Sequence, residues 1–341
     1  MRIALVYDAL YPDAKGGVEK RVWELASRLA ARGNDVHLLG PRSWSGSSSL
    51  VRDGVTLRGV SRRRDLYTPR GRRALLPAVT HALGVWRLLR REHFDVVDCQ
   101  IPAHLAALAA WAARRGASRL VVTWHEAWDR DWIEEMGFLG HGGRLVERIV
   151  ARIPARHVAV SAHTASTLAA IGGPAAPVVP PGVYLSSIGP GDGAGEPSDI
   201  LFVGRLVPTK NLGLLIDSVA ALVSDGLEPK VAIVGDGPSR AEWESQTRRN
   251  GLQGHIEFRG ALDAWSDVIA AIGSAKAVAL PSIREGFGMV ALEAAACGVP
   301  VVTVDHRRNA SRHVVEDGVT GLCVPPDRHS FSSALRTLLG D

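Results

Sequence analysis

The sequence predicts an α/β protein with two doubly wound, Rossmann-like domains. Three observations lead to this fold class. The chain opens with a strand, a turn-rich loop, a helix and a second strand; the same kind of series restarts near residue 199; and the segment between the two series is rich in proline, glycine and serine. Such alternation is typical of parallel sheets covered by helices. A length of 341 residues also suits about two domains.

The first series shows short apolar runs that alternate with helical periodicity. RIALVY (residues 2–7) is a predicted buried strand, and apolar residues recur at helical spacing over residues 18–29. Gly33 ends this helix, and DVHLL (residues 35–39) is the next strand, which we expect to end at Gly40. Later strands are predicted at residues 94–99, 119–124 and 157–161. We assign residues 1–180 to this N-terminal Rossmann-like domain.

Residues 181–198 are predicted to be a linker, because proline, glycine and serine accumulate there. The second Rossmann-like domain is predicted over residues 199–341, where the series restarts. Two such domains are expected to face a central cleft, which is where these folds bind ligands. The predicted strands lie at residues 200–206, 230–234, 255–262, 275–281, 300–305 and 321–326, and the predicted helices at 211–222 and 288–298.

The charge of the chain is unevenly distributed. Residues 1–180 hold 26 Lys and Arg against 16 Asp and Glu, whereas residues 181–341 hold 14 against 19. A basic half indicates an anionic partner, such as the inner face of a membrane; a solvated arginine-rich surface is the alternative. We expect no nucleic acid partner, because no recognition motif and no interleaved aromatic residues accompany the arginines.

Cysteine usage and hydropathy indicate a cytoplasmic protein. Cys99, Cys297 and Cys323 are odd in number and far apart, which suits a reducing compartment better than a disulfide framework. The apolar run at the N-terminus is too short for a signal peptide, and no run approaches the roughly 18 apolar residues of a membrane span. If the basic half binds lipid, the protein would be peripheral at the inner membrane face.

The segment LPSIREGFGMVALEAAACGVPVV (residues 280–302) carries two glutamates on either side of a Gly-Phe-Gly loop. Gly286 and Gly288 permit close backbone approach, and the helical N–H groups that follow form an anion-binding corner. Glu285 and Glu293 are carboxylates, which accept strong paired hydrogen bonds from sugar hydroxyls. The pattern predicts a phosphate at the amides and a sugar at each glutamate. The alternative is an ordinary helix carboxylate beside a packing turn.

Two cations in FVGRLVPTKN (residues 202–211) predict a diphosphate site. Arg205 and Lys210 follow a predicted strand and precede a helix, and positive charge at that place suits a diphosphate. Surface cations without a ligand are the alternative. A nicotinamide site is not expected, because the first loop reads Gly-Gly rather than GxGxxG and the second strand ends without an acid.

Taken in order, GGVE, FVGRLVPTKN, VGDGP, PSIREGFGMVALEAAACGVPVV and DGVTGLCVPPD resemble the family-4 glycosyltransferases, which are retaining enzymes of GT-B architecture. The resemblance covers nearly the whole chain. Its most specific part is the E-x7-E of Glu285 and Glu293 with the CGVPVV that follows. It implies transfer of a sugar, with retained configuration, from a nucleotide diphosphate sugar to a glycan, lipid-linked or natural-product hydroxyl.

The resemblance also implies residue roles. The C-terminal domain would hold the donor and the N-terminal domain the acceptor. Glu285 would meet the transferred sugar, Glu293 the nucleoside ribose, and the first loop would approach the donor phosphates through its glycines. The implied donor-binding residues are Gly16, Gly17, Arg205, Lys210, Gly286, Phe287, Gly288, Met289 and Glu293, and the implied catalytic residues are Glu285 and His125.

His125 lies in WHEAWDRDW just past a predicted strand. In the family, a histidine at such a place faces the transferred sugar, which suits hydrogen bonding or support of a carbocation-like transition state. We expect neither a metal nor another cofactor. Asp129 breaks an HExxH zinc pattern, and the D-x-D formed by Asp129 and Asp131 lies in the acceptor-side domain. The nearby tryptophans (Trp124, Trp128, Trp132) would line an acceptor site or pack in the core.

Other readings remain at this point. A GT-B-type sugar phosphorylase would use free phosphate, and a non-catalytic nucleotide-sugar-binding protein would keep the site without transfer. The chain stops at Asp341 soon after the helix-like SFSSALRTLLG. Family members usually continue into a C-terminal crossover helix, so we expect that helix to be short or missing.

Overall fold

A computed structural model describes residues 1–14, 16–64, 74–113, 118–183 and 195–340. Most of the predicted linker and part of the arginine-rich stretch therefore lie outside the described residues. The chain divides into two compact units, Met1–Pro180 and Pro181–Asp341. Each contains a doubly wound parallel sheet, so the predicted α/β class with two Rossmann-like domains is confirmed.

The first unit is built on a seven-stranded sheet in the order β3-β4-β2-β1-β5-β6-β7, in which only β3 is antiparallel to its neighbour. Its strands are β1 (Arg2–Val6), β2 (Asp35–Arg42), β3 (Ser49–Arg52), β4 (Val55–Arg62), β5 (Val96–Ile101), β6 (Arg119–Trp124) and β7 (Arg156–Ala159). Its helices are α1 (Gly17–Ala31), α2 (Leu75–Arg91), α3 (His104–Ala113), α4 (Asp131–Met136), α5 (Gly140–Val150) and α6 (Ala162–Ala170).

The second unit is built on a six-stranded parallel sheet in the order β10-β9-β8-β11-β12-β13. Its strands are β8 (Ser198–Val203), β9 (Val231–Val234), β10 (Ile256–Gly260), β11 (Ala275–Leu280), β12 (Val301–Val304) and β13 (Gly321–Val324). Its helices are α7 (Leu212–Ser224), α8 (Arg240–Arg249), α9 (Trp265–Gly273), α10 (Met289–Ala296) and α11 (Arg328–Gly340). Apolar side chains fill both faces of this sheet, as a sheet with helices on both sides requires.

Two local features differ from the sequence-based expectation. The second strand continues past Gly40 to Arg42, because β4 pairs alongside it over that length. The β3–β4 hairpin was not predicted from the sequence. It turns at Asp53 and Gly54, both with positive φ, which is the backbone form favoured in tight hairpins. The arginines of this stretch obscured the buried Val55 and Leu57 that form the strand.

Each sheet reverses its winding direction at one place. In the first unit β1 pairs with β2 on one side and with β5 on the other. In the second unit β8 pairs with β9 on one side and with β11 on the other. The carboxyl ends of strands at such a switch point form the crevice where doubly wound sheets bind ligands. Within the described ranges, no helix is both long and apolar enough to cross a bilayer.

Candidate functional site

In the second unit, Lys210 and Glu285 meet although 75 residues separate them in sequence. The ammonium group of Lys210 donates to a carboxylate oxygen of Glu285. They meet because β8 and β11 are parallel neighbours, so the loops that follow them leave the same edge of the sheet. The backbone N–H of Ile283 donates to the carbonyl of Thr209 at 3.0 Å and ties these loops together. The two side chains are only 22% and 16% exposed.

Arg205 lies on the loop that follows β8 and is exposed to solvent. This strand ends at Val203, earlier than the sequence suggested. The glycines of VGDGP shape the same loop from the next strand. A Cβ on Gly235 would lie 1.9 Å from the carbonyl oxygen of Gly204, and one on Gly237 would lie 2.4 Å from that of Leu206. Only glycine allows these loops to pack so closely.

The Glu285 loop leads directly into α10. Gly288 is the N-cap residue, with a φ of 96°, and a Cβ at this position would lie 2.5 Å from the Cβ of Ser311. Glycine is therefore required both by the backbone conformation and by the packing. Gly286 and Gly288 are buried, whereas Phe287 and Met289 are half-buried. The helix begins at Met289, only four residues after Glu285.

A buried polar network supports this loop from the segment after β12. The Asn309 side-chain oxygen accepts from the hydroxyl of Ser311 at 2.6 Å and from its backbone N–H at 3.1 Å. The Asn309 amide nitrogen donates to the carbonyl of Val304 at 2.8 Å and to the hydroxyl of Thr303 at 3.1 Å. The backbone N–H of Glu285 donates to the carbonyl of Arg308 at 3.0 Å. Sequence reasoning missed this support, because isolated Asn, Ser and Thr residues form no motif.

Glu293 lies on α10 and is only 5% exposed. The indole N–H of Trp265 donates to one of its carboxylate oxygens at 3.0 Å. The structure therefore separates the two glutamates of the E-x7-E pattern: Glu285 is held at the loop by Lys210, and Glu293 is held beneath it by Trp265. Trp265 was not singled out from the sequence, since a tryptophan at the start of a helix is ordinarily a packing residue.

In the first unit, His125 follows the carboxyl end of β6 and is buried. Its Nε2 lies 2.9 Å from the side-chain oxygen of Gln100, which is on β5 and has no exposed surface. Its carbonyl accepts from the hydroxyl of Thr164 at 3.2 Å. Burial, together with the positive charge of Arg21, lowers the pKa of His125 well below its usual value, so the imidazole is neutral.

Next to this pair lie Asp98, Thr123 and Arg21. The hydroxyl of Thr123 donates to Asp98 at 2.8 Å. Burial raises the pKa of Asp98, and the hydrogen bond from Thr123 and the charge of Arg21 oppose that rise. Arg21 projects from α1, the helix that begins at the predicted Gly16-Gly17 turn. Gly16 is its N-cap in extended backbone and Gly17 its first residue. A strand-interior Asp or Gln gives no sequence signal, which is why this cluster was not predicted.

The WHEAWDRDW segment is held by its own unit. Trp124 is fully buried, and its indole N–H donates to the ring of His157 at 3.0 Å. Of the two expectations for the tryptophans, core packing therefore applies to Trp124. Arg144 and Arg148 donate to one carboxylate oxygen of Asp129 at 2.6 and 3.1 Å. Within the described part of the chain, no group of three or more His, Cys, Asp or Glu residues is arranged to hold a metal ion.

Comparison with protein families gives two matches. Residues 15–187 match the family model described as Glycosyltransferase Family 4, and residues 192–341 match the model described as Glycosyl transferases group 1. The phosphatidyl-myo-inositol mannosyltransferase of Mycobacterium leprae is similar to this chain at 30% identity, over 99% of this chain and 87% of the relative. A D-inositol 3-phosphate glycosyltransferase of Kineococcus radiotolerans is 31% identical over 96% and 83%.

Comparison with solved structures identifies the fold. A sucrose-phosphate synthase from Thermosynechococcus elongatus superimposes with a TM-score of 0.82 at 21% identity, over 99% of this chain and 90% of that one. Anabaena HepE in complex with UDP and glucose gives a TM-score of 0.76 at 20% identity, over 100% and 90%. These similarities confirm the GT-B fold.

Proposed function

The chain belongs to glycosyltransferase family 4 and is a glycosyltransferase with a nucleotide-sugar donor; we propose that it acts with retained anomeric configuration and without a metal ion, and that the second unit holds the donor. The observation that carries this proposal is the meeting of Lys210 and Glu285 beside the first turn of α10. A cation, a carboxylate and helix N–H groups in one place match the parts of a sugar diphosphate.

Lys210, Arg205 and the first amides of α10 bind the donor diphosphate in this proposal. The ion pair with Glu285 keeps the Lys210 ammonium at the edge of the sheet before the donor arrives. The diphosphate carries more negative charge than one carboxylate, so it attracts Lys210 strongly when it binds. As the bond to the sugar breaks, charge grows on the departing phosphate, and these preorganised groups stabilise it.

The two glutamates bind opposite ends of the donor. Glu285, with the backbone of residues 286–289, contacts hydroxyl groups of the transferred sugar. Glu293 accepts hydrogen bonds from the ribose, and Trp265 fixes the orientation of its carboxylate for this purpose. Gly16 and Gly17 approach the donor phosphates from the first unit, and His125 contacts the transferred sugar. Retention arises by attack on the face from which the phosphate leaves, and that phosphate accepts the proton of the acceptor.

The donor to test first is GDP-mannose, and the acceptor to test first is an inositol-containing phospholipid. One relative from Mycobacterium tuberculosis is a GDP-mannose-dependent alpha-(1-6)-phosphatidylinositol dimannoside mannosyltransferase, 28% identical over 99% of this chain. The names of the M. leprae and K. radiotolerans relatives also mention an inositol compound. The inositol phosphate group of such an acceptor carries several hydroxyl groups and an anionic phosphate, which suits the basic first unit.

A lipid acceptor requires contact with a membrane, and α2 provides a suitable surface. Leu76, Val79, Leu83 and Trp86 form an exposed stripe at helical spacing along α2. Arginines 87, 90 and 91 follow at its C-terminal end. An apolar stripe with adjacent cations is complementary to an anionic lipid surface. We propose that α2 docks the protein peripherally on such a membrane.

Transfer assays test the function directly. Purified protein is incubated with labelled GDP-mannose, UDP-glucose or no donor, and with phosphatidylinositol vesicles or D-inositol 3-phosphate; NMR of the product reports the anomeric configuration. An α-linked product from an α-linked donor supports the proposal. An inverted product overturns retention. Transfer that needs only a sugar phosphate and no nucleotide would indicate a phosphorylase, and donor binding without transfer would indicate a binding protein.

Co-sedimentation tests the membrane surface. Vesicles of phosphatidylcholine with and without phosphatidylglycerol are compared in low and high salt. We expect the protein to sediment with the anionic vesicles in low salt, and to lose this binding in the Leu83→Ser, Trp86→Ser double variant. Val319→Ser is the control, because Val319 is also an exposed apolar residue but lies in the second unit. Equal binding by both variants would overturn the role of α2.

A further inference from the structure

A line of polar side chains crosses one face of β5 and β6 in the first unit and ends at His125. The two strands are parallel, and Gln100 is in register with Thr123. Asp98 and Gln100 are two residues apart on β5 and therefore share a face. Thr123 is on β6, and His125 follows the end of that strand, two residues later. Thr123 donates to Asp98 at 2.8 Å, and Gln100 contacts His125 at 2.9 Å. All four side chains are at least nine-tenths buried.

The surroundings of Gln100 decide how its amide is oriented. Its amide group lies close enough to Asp98 to lower the pKa of that carboxyl, together with Thr123 and Arg21, against the rise that burial causes. Gln100 acts on that carboxyl as a hydrogen-bonding side chain, although its amide nitrogen lies outside the strict geometric limits for a hydrogen bond to any of the described residues. A carboxylate attracts the NH₂ group and repels the oxygen. The oxygen of Gln100 therefore faces His125.

This orientation fixes the proton on the imidazole. An amide oxygen only accepts hydrogen bonds, so the Nε2 of His125 must carry the hydrogen. Burial, and then the charge of Arg21 from α1, lower the pKa of His125 and so disfavour a second proton on the ring. The structure gives Nδ1 no hydrogen-bond partner among the described residues. The unprotonated nitrogen is thus left to accept a hydrogen bond.

We propose that Gln100, supported by Asp98, is a positioning residue that holds His125 as its neutral Nε2–H tautomer, so that Nδ1 accepts a hydrogen bond from a hydroxyl of the sugar substrate. The second half of this inference rests on the proposed contact of His125 with the transferred sugar. The first half concerns the protein alone. In this arrangement His125 offers no proton to the leaving group, and its lone pair rather than a positive charge faces the substrate.

NMR of protein labelled with ¹⁵N-histidine tests the tautomer without reference to activity. The His125 signals are assigned by their loss in His125→Asn. We expect the Nε2–H pattern in the wild type at neutral pH, and no titration in mildly acidic buffer. In Gln100→Leu we expect the signals to move toward a mixture of tautomers. In Gln100→Glu a carboxylate faces Nε2–H, so we expect His125 to become protonated near neutral pH.

Kinetics with the labelled donor test the consequence. Gln100→Leu should lower kcat by about 10- to 100-fold, the range for a misplaced catalytic contact, with the donor KM within about twofold. Gln100→Glu should lose activity as the pH falls through the new ionisation, whereas the wild-type profile stays flat there. Gln246→Leu is the matched control, because Gln246 also contacts a carboxylate, that of Asp217, at 2.8 Å in the second unit. It should change neither measurement.

Three results would overturn the inference. An Nδ1–H or doubly protonated His125 in the wild type contradicts the assigned tautomer. An unchanged His125 spectrum in both Gln100 variants contradicts the role of Gln100. Full activity in His125→Asn would contradict the proposed contact between His125 and the substrate, and it would therefore contradict the acceptor role of Nδ1. If Gln100→Leu fails to fold, the wild-type and Gln100→Glu spectra still decide between these outcomes.

Discussion

The candidate site of the second unit is made of loops, whereas that of the first unit is made of strand faces. Lys210 and Glu285 are charged, partly exposed and close to a helix N-terminus. Gln100 and His125 are buried and neutral, and they extend across two adjacent strands. The second site follows β8 and β11, where its sheet reverses its winding direction, whereas the first extends over β5 and the end of β6, next to the reversal at β1. The fold provides the location, and the side chains decide the chemistry.

The difference fits the ligands that we propose for the two units. A diphosphate is attracted by cations that it can reach, so burying those cations would cost desolvation energy before any ligand arrives. A sugar is neutral, and its hydroxyl groups need hydrogen-bond partners of fixed geometry rather than charge. Burial lowers the pKa of His125 and so keeps its imidazole neutral, whereas the rise that burial causes in the pKa of Asp98 is opposed by Thr123, Arg21 and Gln100. We therefore expect substitutions in the second unit to act through the loss of charge. In the first unit we expect pH to act through the protonation of buried groups.

The largest expected effect comes from removing the cations of the second unit. Arg205→Ala and Lys210→Ala should each reduce kcat/KM by the equivalent of about 2–4 kcal/mol, the scale for losing a preorganised charge contact in the transition state. The measurement is steady-state transfer from the labelled donor. Lys210→Ala should show the effect mainly in kcat, because the diphosphate gains charge as the bond breaks.

Lys276→Ala is the control for this experiment. Lys276 also pairs with a carboxylate, that of Asp199, at 2.9 Å, but it lies near the start of β11. It should leave transfer unchanged. Turnover close to wild type in both Arg205→Ala and Lys210→Ala would mean that the second unit does not hold the diphosphate through these residues.

Acid sensitivity should be the next largest effect, and it should originate in the first unit. Burial lowers the pKa of His81 to about 4 although Asp8 opposes the change. A group with a depressed folded-state pKa costs stability as pH falls from its unfolded value of about 6.5 toward 4, because only the unfolded chain takes up the proton. For His81 this loss amounts to about 3 kcal/mol. Denaturant titrations at several pH values measure it.

His81→Leu should remove most of this loss, because leucine keeps an apolar volume and does not titrate. Neither ring nitrogen of His81 has a hydrogen-bond partner among the described residues, so leucine leaves no such group unpaired. His313→Leu is the control, since His313 lies in the second unit and is not buried. Hydrogen exchange that showed the second unit opening first in acid would contradict the comparison.

A smaller effect is expected at Gly288. Gly288→Ala places a Cβ against Ser311 in a backbone conformation that disfavours side chains, so we expect a loss of about 2–3 kcal/mol in unfolding free energy. Gly226→Ala is the control with a similarly positive φ, and its Cβ would meet nothing within 4 Å. It should cost only about 1 kcal/mol. Thermal unfolding of both variants measures the difference, and equal losses would show that Ser311 does not restrict this loop.

The two regions also differ in how far the sequence predicted them. In the second unit, contiguous motifs indicated Arg205, Lys210, Glu285 and the glycines, because a phosphate-binding loop needs particular residues at fixed spacing. The sequence could not show that Trp265 holds Glu293, because their contact depends on how α9 packs against α10. The supporting Asn309 and Ser311 were missed for the same reason.

In the first unit, the sequence indicated His125 but none of its partners. Gln100, Asp98 and Arg21 come from two other elements and meet only when the sheet is assembled. The strand alternation was nevertheless clear enough to predict the fold class, since apolar runs in parallel sheets are nearly continuous. The β3–β4 hairpin was the exception, because arginines on its exposed face interrupted the apolar pattern.

The smallest expected effect concerns the D-x-D sequence of the first unit, where we expect almost no change in transfer activity. Burial raises the pKa of Asp129, but Arg144 and Arg148 outweigh that effect and lower it. This carboxylate is thus already neutralised by two cations of its own unit, while in the proposed donor site Arg205, Lys210 and helix amides of the second unit bind the diphosphate. We expect a chelator to leave transfer within about twofold and Asp129→Asn to change it little, since this carboxylate pairs with arginines of its own unit. A strict Mg²⁺ or Mn²⁺ requirement that Asp129→Asn abolishes would reverse the comparison, because the first unit would then supply charge to the donor.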